Sequence, residues 1–166
     1  FLYHVCEHVQ GQTLAQWSND NQQPSLAQVR DIVSQAVQAL RILQRHDVVH
    51  CDIKSDNFMI DAHGRIKLID FGSCHIGAIS DSMIMQPDGL PAGTLNFTAP
   101  ELFTGHPHSQ QSDLFSLAAM IYQMLCGRLP FKENTRPAQA PKTANSWHYI
   151  TITTYRQDLP SWLDLV

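Results

Sequence analysis

Apolar residues recur every three or four positions between residues 25 and 46. They are Leu26, Val29, Ile32, Val33, Ala36, Val37, Leu40 and Leu43. This spacing places one apolar stripe along a helix. Ser25, followed three residues later by Gln28, supplies a capping box at the start of the stretch. The pattern predicts an amphipathic helix over residues 25–46.

After this helix, the pattern of residues favours extended strands. The segment "FMI" at 58–60 and the segment "RIKLI" at 65–69 are rich in β-branched and aromatic residues, and "DAHG" lies between them. Gly64 can supply the positive φ that a tight hairpin turn requires. These residues predict a β-hairpin.

The two ends of the chain have weaker patterns. Residues 1–9 are rich in Phe, Leu, Tyr and Val, which favours a short strand, and a brief helix is predicted around Leu14 to Trp17. Residues 132–146 read as a polar loop. The segment "HYITITTY" at 148–155 predicts a short strand or extended chain.

The second half contains one long irregular segment and one apolar helix. Residues 70–101 show no periodicity, and long irregular segments inside compact domains are usually functional. The run "SDLFSLAAMIYQMLCG" at 112–127 predicts a helix with Ser112 or Asp113 as its N-cap and Gly127 at its C-terminal end. Because this helix is apolar on nearly every side, we expect it at the centre of the domain.

The composition is that of a soluble globular domain. The chain has 166 residues, 43% of them hydrophobic and 16% charged, with a formal net charge of -4. This charge creates no overall basic field, so no nucleic-acid partner is predicted. The uncharged stretch 114–127 is shorter than the roughly 20 apolar residues of a membrane span, so no membrane segment is predicted. The four scattered cysteines form no C-x-x-C pair, so we expect reduced thiols and a cytoplasmic location, with an anchor elsewhere left open.

Polar residues flank the predicted hairpin at both ends. Asp52, Lys54 and Asn57 form a D-x-K-x-x-N pattern directly before its first strand, and "DFG" at 70–72 follows its second strand. The segment "GTLNFTAPE" at 93–101 closes the irregular region. The hairpin is thus expected to bring the two polar clusters into one cleft.

These motifs, in this order and context, resemble the large lobe of a protein kinase. The resemblance implies a mainly α fold with a small β-hairpin (α+β), ATP and Mg²⁺ as cofactors, and Ser or Thr hydroxyls of proteins as substrates. "IDFGS" and "GTLNFTAPELFTG" are most similar to bacterial serine/threonine kinases, in particular the kinase half of bifunctional kinase/phosphatase proteins. No segment resembles a phosphatase module.

The resemblance implies a role for each polar residue. Asp52 would orient the substrate hydroxyl and accept its proton. Lys54 would neutralise charge on the transferred phosphate. Asn57 and Asp70 would hold magnesium, which prefers oxygen ligands. Thr94 would hydrogen-bond Asp52 and Lys54 and fix the substrate loop.

Residues 1–14, "FLYHVCEHVQGQTL", resemble the last strand of the small lobe and the hinge that binds adenine. The implied adenine site comprises Cys6 as gatekeeper, Glu7 and Val9 on the base, Thr13 near the ribose, and Met59 and Ile69 on the opposite face. Two structural roles are also implied. Asp113 would hydrogen-bond the backbone of the stretch around Asp52, and His50 would pack against Phe71.

The extent of the resemblance leads to further expectations. The chain has no G-x-G loop, so we expect residues 1–10 to be the last small-lobe strand and hinge, and residues 11–166 a truncated large lobe. The rest of the small lobe and the late C-terminal helices would lie outside the chain. Because Glu101 would lack its usual arginine partner, we expect residues 1–166 alone to be marginally stable and inactive, within an active parent kinase.

Cys51 occupies the position before Asp52 where kinases switched by activation-loop phosphorylation usually carry an arginine. A guanidinium pairs with phosphate and a thiol does not. The sequence therefore predicts that phosphorylation at Ser80 or Ser82 does not activate this protein through that pocket.

Two other functions remain open from the sequence. One is a small-molecule kinase of the aminoglycoside or choline type, against which Lys54 and the segment 93–101 argue, because both serve peptide substrates. The other is a pseudokinase or binding module, which the presence of Asp52, Asn57 and Asp70 disfavours.

Overall fold

The computed structural model describes residues 3, 5–77, 93–131 and 148–164. Within these ranges the α-helices are α1 (Leu14–Asp20), α2 (Leu26–Arg45), α3 (Gln110–Cys126) and α4 (Ile152–Tyr155). The strands are β1 (Gln12–Thr13), β2 (Val48–Val49), β3 (Phe58–Ile60), β4 (Ile66–Leu68) and β5 (His75–Ile76). The polar loop predicted at 132–146, and Ser80 and Ser82, lie outside the described residues.

Helix α2 begins where the capping box predicts. The Ser25 side chain accepts the Gln28 amide N–H, and the Gln28 side chain accepts the Ser25 amide N–H. The residues that it buries are Val29, Ile32, Ala36 and Leu40, all from the predicted apolar stripe. The predicted helix is confirmed. Thr13 and Gln16 cap α1 in the same way, so the brief helix after the N-terminal segment is confirmed as well.

The predicted hairpin forms between β3 and β4, which pair antiparallel with Phe58 opposite Leu68 and Ile60 opposite Ile66. Gly64 has a φ of 74° in the turn, as expected. Strand β1 joins the other edge of β3, giving the strand order β1-β3-β4.

A second small sheet, β2 with β5, was not predicted. Val49 lies opposite His75, and Val48 lies opposite Ile76. This pairing brings the start of the irregular segment beside the residues that lead into Asp52. The sheet therefore holds two parts of the candidate site together.

Helix α3 supplies much of the core, as expected of an apolar helix. Met120 of α3 and Phe58 of β3 are both fully buried, in one cluster with Leu14 and Ile32. The predicted N-cap was wrong. Ser109 caps the helix, and Ser112 at the third helical position returns the hydrogen bond to the Ser109 amide.

The extended segments predicted at both ends are corrected by the structure. Residues 5–10 have no regular secondary structure, residues 1, 2 and 4 lie outside the described part of the chain, and the first strand within that part is β1. In the segment 148–155, Tyr149 makes only an isolated bridge to Phe131, and helix α4 follows. No helix in the described part of the chain is both long enough and apolar enough to cross a membrane.

Candidate active site

Asp52 accepts hydrogen bonds from three side chains and one backbone amide. Its Oδ1 accepts the Thr94 amide at 2.9 Å and the Thr94 hydroxyl at 2.8 Å. Its Oδ2 accepts Lys54 Nζ at 2.7 Å and Asn57 Nδ2 at 3.0 Å. The carboxylate is fixed from both sides, and its side chain remains 12% exposed.

The surroundings of Asp52 favour its ionised form. Partial burial, the largest single influence, raises the pKa of Asp52, but the hydrogen bonds from Lys54, Thr94 and Asn57 and the charge of Lys54 together outweigh it. The pKa of Asp52 therefore lies below its ordinary value. At neutral pH the carboxylate is ionised and able to accept a proton.

Lys54 and Thr94 complete the cluster. Lys54 Nζ donates to Thr94 Oγ1 at 2.7 Å as well as to Asp52, so the three predicted residues contact one another. The contact of Thr98 was not predicted; the sequence had suggested this residue only as a candidate phosphorylation site. Its buried hydroxyl donates to the Thr94 carbonyl at 3.1 Å. The only signal was a hydroxyl residue four positions after Thr94.

Asn57 connects the stretch around Asp52 to the hairpin. It ends a short 3-10 helix, Ser55–Asn57, and its Nδ2 donates to the Asp52 carbonyl at 2.7 Å. Its carbonyl accepts the Ile69 amide at 2.8 Å from the far end of the hairpin. Since the amide nitrogen faces Asp52, Oδ1 is the side-chain atom of Asn57 that can serve a metal ion.

Asp70 is exposed and lies in the left-handed region, with a φ of 61°. Its Oδ1 accepts the Gly72 amide at 3.3 Å. The buried His50 contacts both sequence neighbours of Asp70. Its Nε2 lies 3.2 Å from the Ile69 carbonyl oxygen, and its ring packs edge-on against Phe71 with 5.4 Å between the ring centroids. The predicted packing of His50 on Phe71 is confirmed, and it ties Asp70 to the stretch that carries Asp52.

Asp113 anchors this stretch from beneath, as predicted. Its Oδ2 accepts the His50 amide at 2.7 Å and its Oδ1 accepts the Cys51 amide at 3.0 Å. Asp113 is only 5% exposed, and burial raises its pKa against the opposing effect of the two amides. The bonds hold Cys51 in a left-handed conformation, with a φ of 67°.

Neither Cys51 nor Cys74 is a reactive thiolate at neutral pH. Burial raises the pKa of Cys51 to about 12, and burial raises that of Cys74 to about 11. Both thiols stay protonated, as expected for small packing residues near a site.

Gly93 allows the segment before Thr94 to approach Cys51. Its φ is 98°, and a Cβ at this position would lie 2.5 Å from the Cys51 carbonyl oxygen. We expect Gly93→Ala to shift Thr94 away from Asp52 and to lower kcat at least about tenfold, since displacements of this kind in an active site are costly. Steady-state kinetics of the full-length protein measure the change.

Gly64→Ala is the matched control for Gly93→Ala. Gly64 also has a positive φ, 74°, but an added Cβ there would meet no atom within 4 Å. It therefore reproduces the backbone strain, about 1–3 kcal/mol, without the close contact. Equal losses of kcat in both variants would refute the role of the contact.

The predicted adenine-site residues lie near the β1-β3-β4 sheet. Thr13 pairs with Met59 across β1 and β3, and Ile69 directly follows β4. Glu7 is exposed and forms an ion pair with Lys67 of β4. Val9 is half-buried, and the predicted gatekeeper, Cys6, is exposed. Their roles toward adenine stay predictions.

Comparison with known proteins places the chain in a family. The family model described as "Protein kinase domain" matches residues 1–165. The chain is 34% identical over 131 residues to "Serine/threonine-protein kinases drp72" of Corynebacterium efficiens, covering 79% of this chain and 25% of that protein. It is 33% identical over 129 residues to "Serine/threonine-protein kinase PknB" of Mycobacterium leprae, covering 78% of this chain and 20% of that protein.

A third relative matches along almost the whole chain. "Probable serine/threonine-protein kinase PknB" of Lactococcus lactis is 25% identical over 163 residues, covering 98% of this chain and 24% of that protein. The chain thus spans about a quarter of the length of the first curated relatives that it matches. The resemblance to bacterial serine/threonine kinases is confirmed, and the chain belongs to the protein kinase family.

Proposed function

We propose that the protein containing this chain transfers the terminal phosphate of ATP to Ser and Thr hydroxyls of proteins. The observation that carries the proposal is the Asp52 carboxylate, which is ionised and fixed by hydrogen bonds from Lys54, Asn57 and Thr94. An ionised, oriented carboxylate is the group that phosphoryl transfer to a hydroxyl requires.

Asp52 orients the substrate hydroxyl and accepts its proton as the oxygen attacks the terminal phosphorus. Lys54 lies 2.7 Å from Asp52 Oδ2 and can interact with negative charge that develops on the transferred phosphate. Thr94 holds the other carboxylate oxygen, which keeps the acceptor in one orientation. The bond between the β-phosphate oxygen and the terminal phosphorus breaks, releasing ADP, as the bond between that phosphorus and the substrate oxygen forms.

Asn57 and Asp70 are the residues proposed to hold magnesium. Both offer hard oxygen donors, and the exposed Asp70 carboxylate fits such a role, because it is accessible from solvent beside the site. Magnesium held by these residues would neutralise negative charge on the phosphates of ATP.

Serine and threonine are the proposed acceptors. The three relatives named above are serine/threonine-protein kinases by name. Lys54 and Thr94, which contact each other and Asp52, form the arrangement that the sequence resemblance associates with that branch. The proposed site residues, the truncated domain boundaries and the inactivity of residues 1–166 alone stay predictions.

The direct test is a phosphorylation assay with the full-length protein. ATP labelled in its terminal phosphate is supplied with magnesium to casein and, in a parallel reaction, to aminoglycosides. We expect label on serine and threonine of the protein substrate. Label on aminoglycosides alone would identify a small-molecule kinase, and tight ATP binding without transfer would identify a pseudokinase.

We expect Asp70→Asn to raise the magnesium concentration required for half-maximal activity by at least about 10-fold, since even the loss of a residue that only supports a metal ligand costs roughly 10- to 100-fold in affinity. Asp56→Asn is the matched control, because Asp56 is exposed and directly precedes Asn57 in sequence. The measurement is initial rate against magnesium concentration at saturating ATP. If both variants require the same magnesium concentration as the wild type, Asp70 is not a ligand.

A further inference from the structure

A small polar cavity lies behind Asp52. Its lining includes Asp52, Thr94, His108 and Asp113. The space open to the centre of a water molecule is about 10 Å³, which accommodates about one water. The cavity thus separates the proposed proton acceptor from the carboxylate that anchors its backbone, and His108 borders both.

His108 belongs to no hydrogen-bonded cluster in the part of the chain that the structure describes. Its Nε2 is buried there without a hydrogen-bond partner. The residue directly precedes Ser109, the N-cap of α3, and is half-buried. A single water in the cavity can bridge this nitrogen to a neighbouring carboxylate.

Charged and titratable groups face His108 from several elements. They are Asp113 of α3, Glu101 of the 3-10 helix Pro100–Thr104, His75 of β5, and Cys51 and Asp52 across the cavity. Burial lowers the pKa of His108 below 6.5, while the Asp113 charge opposes that shift. The imidazole is therefore neutral at neutral pH and gains a proton only in acid.

The pKa of Asp113 is shifted in the opposite direction. Burial raises its pKa above 3.8, while the amides of His50 and Cys51 and the charges of His50 and His108 oppose the rise. The two pKa values thus move toward each other from 6.5 and 3.8. The protonation of each group depends on the charge of the other.

Protonation of Asp113 would weaken the anchor. A protonated carboxyl carries an O–H donor, but both of its oxygens face amide N–H donors, at 2.7 Å from His50 and 3.0 Å from Cys51. The bond to the protonated oxygen would be weakened, because a hydroxyl oxygen is a poorer acceptor than a carboxylate oxygen, and the stretch that carries Asp52 would be held less firmly. A positive charge beside Asp113 opposes this protonation.

We propose that His108 is a positioning residue: in its charged form it keeps Asp113 ionised across the cavity and so preserves the anchor of residues 50–52 in acid. The catalytic consequence rests on the proposed function, because Asp52 is part of that anchored stretch. The electrostatic pairing of His108 with Asp113 does not depend on it.

The test compares wild type with His108→Gln, using His106→Gln as the matched control because His106 is exposed two residues away. We expect the acid limb of kcat in His108→Gln to move upward by about half a pH unit, with KM unchanged. His106→Gln should follow the wild-type profile. In an Asp113→Asn background, where the carboxylate cannot titrate, His108→Gln should cause no further shift.

A stability measurement separates failure of this inference from failure of the proposed function. The unfolding midpoint in urea is measured for the same full-length proteins between about pH 8 and pH 5, the interval in which histidine titrates. Because burial lowers the pKa of His108 in the folded protein, its protonation costs stability, and the deficit of His108→Gln should shrink as the pH falls. We expect it to shrink more steeply in the Asp113→Asn background, where no carboxylate offsets the imidazolium charge, whether or not the protein phosphorylates any substrate. A deficit with the same pH dependence in both backgrounds, or one shared by His106→Gln, would overturn the inference.

Discussion

Replacing Asp52 with asparagine is expected to lower kcat for protein phosphorylation by roughly 10²–10⁴-fold, the usual contribution of a positioned general base. The amide cannot accept the hydroxyl proton at neutral pH. It also conflicts with its surroundings, because Lys54, Asn57 and both donors of Thr94 point at the carboxylate oxygens. Whichever carboxylate oxygen the NH₂ group of asparagine replaces, that group would face another hydrogen-bond donor.

The measurement is single-turnover phosphorylation by the full-length protein at saturating ATP. Asp31→Asn is the matched control, since Asp31 lies exposed on α2 and pairs only weakly with Arg30 at 3.7 Å. Urea unfolding of both variants shows whether Asp52→Asn stays folded under the assay conditions. A folded Asp52→Asn protein that retains more than about a tenth of wild-type kcat would rule out Asp52 as the proton acceptor.

Local patterns predicted the elements whose stabilising contacts are close in sequence. The capping box at Ser25 and the apolar stripe of α2 are both contained within that helix. The hairpin depends on a turn in which Gly64 can adopt a positive φ and on strands that directly adjoin it. In these elements the sequence neighbourhood contains the physical cause of the structure.

Elements stabilised by distant residues were missed or mistaken. Residues 150–153 alternate Ile and Thr, which favours a strand, yet helix α4 begins at Ile152. The Asp164 carboxylate accepts the amides of Ile152 and Thr153 and so caps the first turn of α4 from 12 residues away. Strand β5 exists because β2 pairs with it. No local pattern of apolar and polar residues contains such contacts.

In the candidate site, too, contacts carried by short motifs were predicted and contacts between distant segments were not. The contacts among Asp52, Lys54 and Thr94 follow from a family resemblance carried by short motifs, and the structure places these side chains within hydrogen-bond distance. The position of His108 was not predicted, because its significance depends on a cavity formed by segments far apart in sequence. The close approach of Gly93 to Cys51 is also a tertiary contact.

Removing the anchor beneath Asp52 is expected to have the largest effect on stability. Asp113→Ala takes away the acceptor of two amides that belong to His50, which is fully buried, and Cys51, which is 7% exposed. An unsatisfied buried donor costs about 1–3 kcal/mol, so we expect the free energy of unfolding to fall by roughly 2–5 kcal/mol. The cost of burying the Asp113 charge in the wild type offsets part of this loss.

Urea denaturation of the full-length protein measures the change. Asp61→Ala is the matched control, because Asp61 also accepts backbone amides, from His63 at 2.8 Å and Arg65 at 3.0 Å, but in an exposed turn where water can replace it. We expect that variant to lose less than about 1 kcal/mol. Equal losses in the two variants would show that burial of the amides does not set the cost. A stable Asp113→Ala protein with wild-type kcat would show that residues 50–52 hold their conformation without the anchor.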